Sequence, residues 1–136
     1  MAVIVTRRER FSAGHTLFNP AFSEERNREI FGKCSNPSGH GHNYILEVSL
    51  SGEVDPDTGF LFDLGELAAL MRKQILDDVD HRNLNVDVDW LRGTIPTTEN
   101  LVCAFWERLD PALPGELLCS VRLGETEKNW VERRRD

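Results

Sequence analysis

The 136-residue chain is 40% hydrophobic and 29% charged, the balance of a globular protein with a buried core. Its formal charge of -7 disfavours nucleic acid as a partner, and no stretch is apolar for long enough to span a bilayer. Three cysteines, Cys34, Cys103 and Cys119, are an odd count for a disulfide framework, and the opening apolar run precedes its charges instead of following them. A reducing, cytoplasmic setting with free thiols is therefore expected.

No repeat or linker interrupts the chain, and a single domain over 1–136 is expected. Residues 2–13 carry Val3, Val5 and Phe11 at alternating positions and read as a strand. Residues 16–39 are rich in Asn, Pro, Gly and Ser and read as a long loop. Alternation resumes from His40 to Leu50, with His40, His42, Tyr44, Leu46, Val48 and Leu50 on one face. Leu64, Leu67, Ala68, Met71, Ile75 and Val79 have helical spacing behind an N-cap at Asp63. A second helix starts at Thr97 or Thr98, with Leu101, Val102, Phe105, Trp106 and Leu109 as its apolar face. Residues 117–123 and 129–133 read as closing strands, and Arg133-Arg134-Arg135 as a solvated basic tail. The order β-β-α-α-β-β predicts an α+β fold, an antiparallel sheet with both helices on one face.

The chemistry begins at His40-Gly41-His42. On a strand, residues two apart point the same way, with Cα atoms roughly 6.5–7 Å apart, so two imidazoles converge on one ion or sit as two satisfied polar groups. His15 follows the first strand. If the first two strands pair antiparallel, His15 meets His40 and His42, and three imidazoles with an open fourth position describe a catalytic zinc site. Cys34 lies upstream of the pair, and spacing leaves it as a fourth ligand, a reactive thiolate or a loop residue. Asp80-His81 reads either as a carboxylate orienting an imidazole or as a helix end complementing its dipole. Glu125 reads either as a solvated turn residue or as a buried carboxylate able to accept two parallel hydrogen bonds from an N–C–N edge.

Phe11-Ser12-Ala13-Gly14-His15, Phe31-Gly32-Lys33-Cys34, Gly39-His40-Gly41-His42-Asn43-Tyr44, Asp80-His81-Arg82-Asn83-Leu84-Asn85, Thr97-Thr98-Glu99-Asn100 and Gly124-Glu125-Thr126 occur in that order. Together they resemble the family of 6-pyruvoyl-tetrahydropterin and 6-carboxy-tetrahydropterin synthases across nearly the whole chain. The resemblance implies a tunnelling fold (T-fold) and a homohexamer of two stacked trimers with active sites between subunits. It implies zinc on His15, His40 and His42. It implies Cys34 as catalytic thiol with Asp80 and His81 as acid–base partners from a neighbouring subunit, Glu125 as pterin anchor, and Thr97, Thr98 and Glu99 beside the pterin. The implied substrate is 7,8-dihydroneopterin triphosphate, with Mg2+ on the triphosphate; Arg26, Arg28 and Lys33 read either as candidates to face it or as residues of a solvated loop. Five residues separate Cys34 from His40, as in the pyruvoyl branch; the carboxy branch typically has three. A side-chain-removing branch usually replaces the cysteine with glutamate. Gly14 stands where animal members often have serine, and Asp63 where they often have asparagine.

Overall fold

The computed structural model describes residues 2–136. Period-two alternation is read out as two 13-residue strands, β1 (Val3–His15) and β2 (His40–Gly52). They pair antiparallel without a break, from Val3 opposite Gly52 to His15 opposite His40. Two shorter antiparallel strands, β4 (Leu118–Gly124) and β5 (Trp130–Arg134), extend the sheet beyond β2. On the other side a two-residue strand, β3 (Arg82–Asn83), lies parallel to β1 beside Ala13 and Gly14, giving the order β3-β1-β2-β4-β5.

Two helices cover one face. The first, α2, starts at Leu64, runs through Met71 and a π-helical stretch, Arg72–Leu76, and ends with Asp77–Val79. Asp63 caps it, accepting hydrogen bonds from the N–H groups of Gly65 and Glu66 at 2.8 and 3.3 Å. The second, α3 (Thr98–Leu109), is capped by the Thr97 hydroxyl, which accepts from the Asn100 N–H at 3.2 Å. Leu67, Met71 and Ile75 of α2 and Leu101, Phe105 and Leu109 of α3 share one core with Phe11, Tyr44, Leu46, Val48 and Leu50 of the sheet. The apolar positions of both periodicities thus meet in one layer, as an α+β fold requires.

Three expectations need correction. Residues 16–39 are not all loop: α1 (Glu24–Phe31) forms there, capped by Ser23, and passes into a 3-10 turn at Gly32–Ser35. The first strand runs two residues further than read, to His15, because its end is paired on both sides by β2 and β3. The terminal arginines are not a solvated tail. Arg133 and Arg135 lie over the Trp106 ring at 5.0 and 5.1 Å and ion-pair with Glu107 and Asp110, tying the C-terminus to α3.

The opposite face of the sheet is polar. There Glu47 of β2 accepts from Arg8 Nε and Nη2 at 2.9 and 2.6 Å and from Arg122 Nη1 at 3.0 Å, one cation from each neighbouring strand. Burial alone would raise the Glu47 pKa, but these hydrogen bonds and charges outweigh it and hold the carboxyl below its ordinary value. A depressed folded-state pKa stabilises the fold above the unfolded-state pKa, and that contribution disappears as pH falls through the folded value. Glu47→Gln is therefore expected to lower stability by about 1 kcal/mol at neutral pH. In denaturant melts across pH the difference should vanish on the acid side of the carboxylate range.

Candidate metal centre and active site

The β1–β2 register places Ala13 opposite His42 and His15 opposite His40. His15, His40 and His42 all project to the helix-covered face, because they share the parity of Phe11, Ala13 and Tyr44. Gly39 makes the approach possible. Its φ is +75°, and an added Cβ would lie 3.1 Å from the His15 carbonyl oxygen and from the Thr16 hydroxyl. The chain can therefore turn into β2 directly against the end of β1.

The imidazoles converge. One ring nitrogen from each lies within 4.8 Å of the others, the group of three side chains able to hold a metal ion among the described residues. His15 Nε2 faces His40 Nε2 at 3.0 Å. His15 Nδ1 lies 2.9 Å from the Pro96 carbonyl, which can only accept, so the Nδ1 proton points there and the Nε2 lone pair points at His40. His42 Nε2 is buried without a hydrogen-bond partner; Glu125 Oε1, 3.4 Å away, is in ionic range but not aligned to accept. A buried, unpartnered imidazole nitrogen is costly unless a ligand such as a metal ion uses it. Burial is the largest influence on His15 and His42 and pushes both pKa values down, so both are neutral near pH 7, the form that binds metals. Three imidazoles, with no fourth protein ligand grouped with them among the described residues, suit zinc with an open position.

Cys34 is half-buried in the turn before β2, and its carbonyl accepts from the Leu17 N–H at 2.7 Å, two residues beyond His15. Glu125, at the end of β4, accepts a 2.8 Å hydrogen bond from the buried Thr98 hydroxyl on Oε2. Thr97 spends its hydroxyl on the helix cap, and Glu99 lies exposed in the first turn of α3. Of the candidate phosphate cations, Arg28 and Lys33 line a cleft of about 1190 Å³ that Thr16 and Ser35 also line. Arg26 does not line it; its guanidinium stacks on Phe22 at 4.8 Å.

Asp80 and His81 do form a pair, with Nδ1 to Oδ1 at 3.0 Å. Sequence neighbours rarely face each other, and the backbone shows how these do. His81 has φ +60°, the one non-glycine residue in the left-handed region among those described. Ser12 holds the bend from both sides: its N–H donates to Asp80 Oδ1 at 2.9 Å, and its carbonyl accepts from the His81 N–H at 2.6 Å. The chain then continues as β3, with Leu84 N–H on the Gly14 carbonyl and the Asn85 side chain bracketing the Thr16 peptide. His81 and His42 line one open groove of about 360 Å³ across the end of the sheet. Sequence reasoning missed the Pro96 carbonyl and the Ser12 peptide, since backbone atoms leave no residue-type signal.

Comparison with known proteins decides the family. The 6-pyruvoyl tetrahydropterin synthase family model matches residues 4–136. The chain belongs to the 6-pyruvoyl tetrahydropterin synthase family. A relative named 6-pyruvoyl tetrahydrobiopterin synthase, from Dictyostelium discoideum, is 45% identical over 129 residues, covering 95% of this chain and 93% of that one. The structure of Caenorhabditis elegans 6-pyruvoyl tetrahydropterin synthase superposes with a TM-score of 0.94 at 40% identity, covering 100% of this chain and 97% of that one. The predicted tunnelling fold is thereby shown. A putative 6-carboxy-5,6,7,8-tetrahydropterin synthase from Archaeoglobus fulgidus is more distant, 33% identical over 96 residues, with 71% of this chain and 76% of that one covered.

The left-handed His81 generates a stability prediction. A β-branched residue tolerates that conformation poorly, whereas asparagine adopts it readily. His81→Val should cost about 1–2 kcal/mol more than His81→Asn in denaturant melts. Equal stabilities would show that the bend relaxes to ordinary φ without penalty.

Proposed function

We propose that this protein converts 7,8-dihydroneopterin triphosphate to 6-pyruvoyl-tetrahydropterin with loss of triphosphate. The observation that carries the reading is the convergence of His15, His40 and His42 beside Glu125 in a chain of this family. The 45% identity to a pyruvoyl enzyme against 33% to a putative carboxy enzyme supports the pyruvoyl branch, as does the five-residue spacing from Cys34 to His40.

His15, His40 and His42 would hold zinc, which supplies a Lewis acid that polarises the hydroxyl oxygens of the substrate side chain. Glu125 anchors the pterin through its N–C–N edge, with Thr98 fixing Oε2 so that the carboxylate plane is set before substrate arrives. Thr97 and Glu99 flank that pocket from the start of α3. Cys34 as thiolate takes the proton from a side-chain carbon, and the proton returns at another position. His81, held by Asp80 at 3.0 Å and contributed by a neighbouring subunit, exchanges that proton. Turning two side-chain carbinols into ketones releases four electrons; two reduce the C=N bond of the pterin ring and two stay with the terminal carbon, which becomes a methyl group as its C–O bond to triphosphate breaks, so no external redox cofactor is needed. Arg28 and Lys33, which line the cleft, would face the departing triphosphate, and Mg2+ bound to it would offset its charge.

The functional unit in this reading is a homohexamer of two trimers with shared sites. Both outer edges of the sheet support it: β3 covers only Ala13 and Gly14 of β1, and β5 is the last strand in the sheet order. Closing sheets from several subunits into a barrel would pair these edges.

Product identification tests the proposal. Zinc-loaded protein with Mg2+ and 7,8-dihydroneopterin triphosphate, without reductant, should yield 6-pyruvoyl-tetrahydropterin by mass spectrometry. A 6-carboxy product with acetaldehyde would move the protein to the carboxy branch, and no conversion at full zinc occupancy would overturn the reading. Cys34→Ala should keep zinc stoichiometry and lower turnover by roughly 10²-fold or more. Stoichiometric loss of zinc in that variant would make Cys34 a ligand instead.

A further inference from the structure

Tyr44 is a buried polar group that the reaction above does not use. It lies two residues after His42 on the same face of β2, and none of its surface is exposed. Its ring stacks on Phe11 at 4.7 Å with planes 10° apart, and presents an edge contact to His42 at 5.7 Å and to His15 at 6.3 Å. Its hydroxyl oxygen is 3.4 Å from His15 Nδ1, the nitrogen whose proton also faces the Pro96 carbonyl at 2.9 Å.

Burying a hydroxyl costs free energy unless it is partnered, and phenylalanine would fill the same stacked position on Phe11 without that cost. The Tyr44 hydroxyl is placed where it touches one imidazole of the trio and no solvent. The Pro96 carbonyl can only accept and so fixes the proton on Nδ1, while the Tyr44 oxygen beside it opposes a ring flip that would put a carbon where Nδ1 stands. Flipping would leave the Pro96 carbonyl and the Tyr44 oxygen facing a ring carbon.

We propose that Tyr44 is a positioning residue for the metal centre: its hydroxyl, with the Pro96 carbonyl, locks the His15 tautomer and ring orientation that present Nε2 to a zinc ion. The proposal concerns metal affinity and holds whichever pterin reaction the protein performs. Partners of this kind typically contribute 10–100-fold to metal affinity.

The test is the zinc dissociation constant by competition with a chromogenic chelator, on the full-length oligomer. Tyr44→Phe keeps the ring and its stacking. It should weaken zinc about 10-fold while leaving the melting temperature of the zinc-free protein unchanged or raised, because only the hydroxyl is removed. Phe11→Leu is the packing control: it loosens the ring beneath Tyr44 and should lower the zinc-free melting temperature with less than a twofold change in zinc affinity. An unchanged zinc constant in Tyr44→Phe overturns the proposal. So does an equal loss of affinity in Phe11→Leu, which would assign the effect to packing. Both readouts are independent of turnover, so a failed activity assay leaves this result interpretable.

Discussion

The pairing register of β1 with β2 is the constraint on which the site depends. Side chains alternate along a strand, so a slip of one residue in β2 would move His40 and His42 to the polar face and leave His15 alone beneath α3. The same slip would expose Tyr44, Leu46, Val48 and Leu50, each fully buried here. The free energy that fixes the metal centre is therefore the hydrophobic burial of the rest of β2. Gly39 sets where the pairing begins, and the 13 matched residues carry that choice along both strands.

Around that register, several backbone groups do the positioning. The Pro96 carbonyl orients His15, and the next two residues cap α3 and hold Glu125. Three consecutive residues thus link the metal trio, a helix start and the proposed pterin anchor. On the opposite edge of β1, the Ser12 peptide holds Asp80 and His81 while β3 continues beside Ala13 and Gly14. Both arrangements are rigid because they use strand and helix-end hydrogen bonds, which cannot change without disturbing the core.

Much of this was legible in the sequence. Alternation and helical spacing located four strands, both covering helices, the cap at Asp63 and the start of α3 at Thr97 or Thr98, because those elements each bury one face. Asp63, read as an N-cap, is one in the structure. The His trio followed from strand parity once antiparallel pairing was assumed. The helix α1 was passed over because its only buried residue is the polar Asn27, so it carries no apolar stripe. Its other signals were present: Ser23 as cap, Glu24 and Glu25 in the first turn, and Gly32 with φ +58° at its end. β3 has two residues and exists only through its pairing with β1, and no local pattern encodes that. The terminal arginines read as solvated because their partners, Trp106, Glu107 and Asp110, lie more than 20 residues away in the chain.

X-ray absorption at the zinc edge of the metal-loaded protein tests the central claim most directly, since it counts donors without reference to turnover. A register that converges three imidazoles and leaves Cys34 outside predicts nitrogen and oxygen donors only, at about 2.0–2.1 Å, with an imidazole signature for three residues. A sulfur donor at about 2.3 Å, or fewer than three imidazoles, would contradict it.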